Sequence, residues 1–141
     1  MLDWESLLAL YPKPQRVYTR HILREYLQYQ ILKIIYQSPF AAALNFLGGT
    51  ALRIVHNSPR FSEDLDFDNL NLTPDDFQTL ANHIKLELER SGYQVETREV
   101  YKGAYRCYIR FPNLLFERGI SGYTEEKVLI QLDTAPQRYE Y

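Results

Sequence analysis

A mixed α/β or α+β domain on one small sheet is predicted by three observations. Two segments carry apolar residues at helical spacing, near residues 19–37 and 73–90. Between and after them stand short runs with period-two or β-rich patterning. The whole chain is 141 residues, the size of a single domain and too short for two full ones.

The elements follow in order. Trp4, Leu7, Leu8 and Leu10 form a short apolar patch, closed by Tyr11-Pro12-Lys13-Pro14, where two prolines end any helix. Leu23, Leu27, Ile31 and Ile34 recur every three or four residues, so a helix runs from about Thr19 to Gln37 and stops at Ser38-Pro39. Ala43 to Leu47 reads as a short buried strand that enters Gly48-Gly49-Thr50. Ala51 to His56 reads as a short helix, and Asn57-Ser58-Pro59 as a turn. Ser62 to Asn69 alternates Asp64, Asp66 and Asp68 with Leu65 and Phe67, a strand with one acidic face. Thr73-Pro74-Asp75-Asp76 is a helix start: a hydroxyl cap, proline in the first turn and acids at the positive end of the dipole. Phe77, Leu80, Ile84 and Leu88 continue it as one stripe, and Ser91-Gly92 ends it. Tyr93–Tyr101, Ala104–Phe111 and Lys127–Asp133 read as three strands, the first two joined at Lys102-Gly103. Pro112–Gly122 reads as a loop.

Composition excludes several classes. Hydrophobic residues are 45% and charged residues 24%, which is globular rather than disordered. With 16 basic and 18 acidic residues the net charge is −2, so no strongly basic coat for nucleic acid exists, although a local patch is allowed. One cysteine, Cys107, rules out a disulfide framework and fits a reducing compartment. The first ten residues carry Asp3 and Glu5 and no basic, apolar leader pattern. No apolar run approaches the ~18 residues of a membrane span. The expected location is the cytoplasm.

Chemistry concentrates at the glycine pair and the acidic strand. Carboxylates at i and i+2 on a strand project from the same face, roughly 7 Å apart. Hard divalent cations take such oxygen ligands, so Asp64 and Asp66 are candidates to hold magnesium or manganese against nucleotide phosphates. Gly48 and Gly49 allow backbone N–H groups to approach a phosphate closely, and Thr50 sits where a helix begins, an anion-attracting position. A polyphosphate would lie between that turn and the metal. The spacing Asp64-x-Asp66-x-Asp68-Asn69 also matches the start of a calcium-binding EF-hand loop. However, position six is Asn69 rather than Gly, position twelve is Asp75 rather than Glu, and Pro59 breaks the incoming helix.

These residues carry a resemblance. Phe46-Leu47-Gly48-Gly49-Thr50-Ala51-Leu52-Arg53, followed by Arg60-Phe61-Ser62-Glu63-Asp64-Leu65-Asp66-Phe67, resembles the signature of the AbiEii/AbiGii toxin family, within the DNA polymerase β-like nucleotidyltransferase superfamily. Arg24-Glu25-Tyr26 resembles the family's opening segment. The likeness is specific over about residues 20–70 and follows by pattern over 71–133. It implies a minimal nucleotidyltransferase fold in one domain, a small mixed sheet flanked by helices, with 1–19 as an N-terminal extension. It implies transfer of a nucleotide from an NTP with magnesium to an acceptor, which is tRNA for some relatives and is open here among RNA, protein and small molecules, and a cognate antitoxin within a toxin–antitoxin or phage-defence system. It places Gly48, Gly49 and Thr50 at the phosphate-binding turn and Asp64 and Asp66 at the metal ligands. Polymerase-like transferases add a third carboxylate, for which Asp133, at the end of an apolar strand, is the candidate. Family members continue into a C-terminal helical region without a counterpart before Tyr141. A second class of function therefore stands beside the enzyme: a shortened, inactive relative that binds another protein. Oligomeric state is left open.

Other residues complete the inventory. Arg60 and Arg53 flank the motif and suit a triphosphate, the alternative being an ion pair with Glu63. Ser62 bonds the local backbone or supports a metal carboxylate from behind. His21, His56 and His83 are scattered and lack zinc spacing. Cys107 alternates with Tyr105, Ile109 and Phe111 and reads as a small buried hydrophobe. On the opposite face of that strand Arg106, Tyr108 and Arg110 interleave an aromatic ring with two cations, a pattern that stacks bases and holds phosphates, or else a solvated outer face.

Overall fold

Local signals and long-range pairing together give a five-stranded mixed sheet with helices on one face. A computed structural model describes residues 4–47, 64–123 and 126–136. Its elements are α1 (Trp4–Ala9), α2 (Thr19–Tyr36), β1 (Leu44–Leu47), β2 (Leu65–Asn69), α3 (Pro74–Arg90), β3 (Glu96–Lys102), β4 (Ala104–Phe111), α4 (Leu114–Glu117) and β5 (Val128–Pro136). The strand order is β1-β2-β5-β4-β3. Only the β2–β5 pair is parallel; the other three neighbouring pairs are antiparallel.

The period-two pattern of the strands sets what faces the helices. Leu65 and Phe67 of β2, Cys107, Ile109 and Phe111 of β4, and Val128, Ile130 and Leu132 of β5 are buried. They pack with Leu23, Leu27, Ile31 and Ile35 of α2 and with Phe77, Leu80, Ile84 and Leu88 of α3. The alternate residues of the same strands, among them Asp66, Arg106 and Asp133, project to the opposite face.

α3 begins and ends as its chemistry dictates. Thr73 Oγ1 accepts from the Asp76 N–H at 3.1 Å, and the Asp76 carboxylate accepts from the Thr73 N–H at 3.2 Å, so two otherwise unpaired donors are satisfied. At the other end Gly92 takes φ +97°, and the N–H groups of Gly92 and Tyr93 donate to Glu89 and Leu88. Thr73→Ala removes the cap, and urea unfolding should report a loss of about 1 kcal/mol; an unchanged midpoint would remove the cap from the account.

Four features depart from the sequence expectation. The first residues include a helix, α1. Its Leu7 packs with Tyr11 and Ile22 in a second small cluster. This explains why α2 is buried over a wider arc than one stripe. Glu25 and Gln28 are buried on it as well, and Glu25 accepts a hydrogen bond from the Tyr11 hydroxyl at 2.7 Å. Second, the expected loop 112–122 contains α4, a single turn entered through Asn113 at φ 65°. Four residues are too few for periodicity to reveal; burial of Leu114 and Leu115 holds the turn. Third, β3 starts at Glu96, because Tyr93 and Val95 enter the core before strand pairing begins. Fourth, β5 does not end at Asp133 but continues to Pro136, paired with β2 through Asn69.

Cys107 is fully buried, as expected. Burial, with a smaller contribution from Glu99, pushes its thiol up to about 12. The folded chain therefore favours the neutral thiol. That contribution to stability is intact below the ordinary thiol pKa of about 8.5 and is lost as pH rises towards 12. At pH 8 a thiol-specific disulfide reagent should leave the native protein unlabelled and label it on addition of denaturant; rapid native labelling would contradict this burial.

Candidate active site

The acidic residues meet at the centre of the sheet. Asp64 lies just before β2; Asp66 and Asp68 lie within it. The parallel β2–β5 register pairs Asp66 with Asp133 and Asp68 with Ala135. Since directly opposed residues on neighbouring strands share a face, Asp133 stands beside Asp66. Asp133 is an interior strand residue here and not a turn former. The EF-hand reading fails on the same observation: Asp66 and Asp68 sit in an extended strand hydrogen-bonded to β1 and β5, not in a loop.

Among the described residues Asp66 and Asp133 meet different surroundings. The Asp66 carboxyl is pushed above its ordinary range, first by burial, then by the charges of Asp133 and Asp64. Asp133 is compensated. Gln131 Nε2 donates to both of its oxygens at 2.9 Å, and Arg106 Nε lies 3.5 Å from Oδ1. A cavity of about 220 Å³ opens here, lined by Asp66, Asp68, Ala104, Arg106, Asp133 and Thr134. Among the described residues no three His, Cys, Asp or Glu side chains already converge at metal-ligating spacing; Asp133 is turned to Gln131 and Arg106 instead.

The structure thus brings Asp66 and Asp133 together, with Asp64 close enough to act on Asp66. Gly48, Gly49, Thr50, Arg53, His56, Arg60 and Ser62, and the expected helix 51–56 and turn 57–59, lie outside the described residues. Two site residues had no role assigned to them beside the acids from sequence. Gln131 is two positions before Asp133 and so on its face, a signal available in the strand pattern. Arg106 reaches Asp133 only through the β4–β5 register, which pairs residues 27 positions apart.

The sequence profile of the family described as "Nucleotidyl transferase AbiEii toxin, Type IV TA system" matches residues 30–139. The chain belongs to the AbiEii family. Among solved structures this AbiEii-family chain is similar to JHP933 from Helicobacter pylori, with 19% identity and a TM-score of 0.55 over 86% of this chain and 46% of that one. It is also similar to a candidate nucleotidyltransferase from H. pylori, with 20% identity and a TM-score of 0.53 over 82% of this chain and 45% of that one. Both likenesses show the nucleotidyltransferase-like fold: a mixed sheet with helices. The chain spans less than half the length of either structure. No curated protein matches it. No helix among the described residues is long and apolar enough to cross a membrane.

Proposed function

We propose that this AbiEii-family protein is a metal-dependent nucleotidyltransferase that moves a nucleotidyl group from an NTP to an RNA acceptor such as tRNA. The observation that carries the reading is the in-register placement of Asp133 beside Asp66 on a sheet face that opens to a cavity, with Asp64, just before the strand, close enough to act on Asp66.

The donor set fits magnesium or manganese. Three carboxylates are hard oxygen ligands. Burial, and then the charges of Asp133 and Asp64, raise the Asp66 carboxyl, a cost that a bound divalent cation would offset. Asp64, Asp66 and Asp133 would hold it, Gln131 keeping Asp133 oriented from behind. The bound cation would supply stabilisation of the charge that develops on the phosphate oxygens. In the reaction the acceptor hydroxyl gives its proton to solvent and attacks the α-phosphorus in line; the bond to pyrophosphate breaks as the new ester forms, and pyrophosphate leaves with the electron pair. Gly48, Gly49 and Thr50 would cradle the triphosphate through backbone N–H groups, with Arg60 and Ser62 beside them. Tyr108, between Arg106 and Arg110 on the same strand, would meet the acceptor RNA. A cognate antitoxin, cytoplasmic location and action within a toxin–antitoxin or phage-defence system follow as parts of the same proposal.

The test is transfer of label from each of the four NTPs, with magnesium, to total RNA by the wild-type chain. Label on RNA from at least one NTP is the expected result. Absence of transfer, together with absence of magnesium-dependent NTP binding, would overturn the reading and leave the protein-binding module.

A further inference from the structure

Arg106 stands where two halves of the open sheet face meet. On one side are the carboxylates of β2 and β5. On the other the register sets Arg98 beside Tyr108, with Arg110 two positions beyond. Arg106 itself lies opposite Asp133 on β5 and opposite Val100 on β3. Its guanidinium is 3.5 Å from Asp133, and it lines the same cavity as Asp66.

Two facts say what this ion pair does. The Arg106 side chain is 49% exposed, so the pair is screened and exchangeable. Asp133 has a second holder, Gln131, which grips both carboxylate oxygens through a neutral amide. Arg106 is therefore not required to orient Asp133. What it supplies is positive charge beside carboxylates that crowd one another.

Resting on the metal-dependent reading above, we infer that Arg106 is a phosphate-binding residue that exchanges partners. It neutralises Asp133 while the carboxylates hold no cation. When a divalent cation joins them, two positive charges compete for one carboxylate, and the guanidinium turns to the nucleotide phosphates over the same cavity. A planar fork of N–H donors suits phosphate oxygens at least as well as a carboxylate.

The experiment measures Mn²⁺ binding to the full chain, without nucleotide, by calorimetry at low salt, and then binding of tripolyphosphate in the presence of Mn²⁺. Arg106→Gln removes the competing charge and should bind Mn²⁺ about threefold tighter than wild type. It should bind tripolyphosphate about tenfold more weakly. Arg106→Lys keeps the charge without the fork, so Mn²⁺ affinity should return to wild type while tripolyphosphate affinity returns only in part. A purely structural arginine would not move the two affinities in opposite directions. Unchanged or weaker Mn²⁺ binding by Arg106→Gln overturns the inference, as does unchanged tripolyphosphate binding. Asp66→Asn separates this from failure of the underlying reading. If it weakens Mn²⁺ binding while Arg106→Gln does not tighten it, only the exchange falls. If wild type and Asp66→Asn bind Mn²⁺ alike, the metal site falls and the exchange with it.

Discussion

Asp66→Asn should lower the proposed nucleotidyl transfer by about a thousandfold, or ~4 kcal/mol of transition-state stabilisation, while leaving the fold at least as stable as wild type. The amide keeps the shape of the side chain and removes its charge. That charge is costly where it stands: burial, Asp133 and Asp64 all raise the Asp66 carboxyl above its ordinary range. The sign follows directly. A carboxyl whose folded pKa is raised favours folding in its neutral form, so its contribution is present at low pH and is lost as pH rises through the folded value. At neutral pH the ionised group works against folding, and Asn relieves it. Thermal unfolding at pH 7 should show an equal or higher midpoint for the variant, with the difference vanishing in acid. A group kept for its charge at a cost in stability is the signature of a functional site. If activity and stability fell together, Asp66 would be a structural residue and the proposed centre would lie elsewhere.

Phe67→Ala should destabilise the domain by about 3–5 kcal/mol. Phe67 is only 2% exposed, and it sits between the two acids of β2. The ring is part of the cluster that joins the sheet to α2 and α3. Removal of so large a buried side chain forfeits its transfer free energy and leaves a cavity that a five-residue strand, paired on both sides, cannot close. Against the typical 5–15 kcal/mol of a whole domain this is a large share, and the melting point should fall by on the order of 10 °C. Phe67→Leu keeps most of the volume and should cost less than half as much. A loss below about 1 kcal/mol for Phe67→Ala would mean that β2 is not held by this face. The two variants divide one strand between its duties: the odd-numbered residues fasten it to the core, and the even-numbered acids face the cavity.

Much of this was legible locally. The spacing of Leu23, Leu27 and Ile31 and of Phe77, Leu80, Ile84 and Leu88 gives α2 and α3 because every third or fourth residue returns to the same helical face. The capping box at Thr73 and the stop at Gly92 are likewise contacts within a few residues. The alternation through Asp64–Asn69 shows which side chains share a face, because a strand has period two. The glycine pair and the two acids were enough for the AbiEii resemblance, which the profile match over residues 30–139 bears out at the level of family.

Other features depended on residues far apart. α1 and α4 are short, and burial against distant parts of the chain holds them, not periodicity. Whether Asp133 ends a strand or lies inside one turned on the pairing of residues 134–136 with β2. Arg106 meets Asp133 only because β4 and β5 adopt one register out of several that the alternation allows. Sequence by itself determined the two long helices, the inward and outward faces of the strands and the identity of the candidate acids, since these depend on neighbours a few residues apart. Tertiary structure alone decided which acid stands beside which, and which cation answers them, since strand order and register are set by the burial of the whole sheet against its helices.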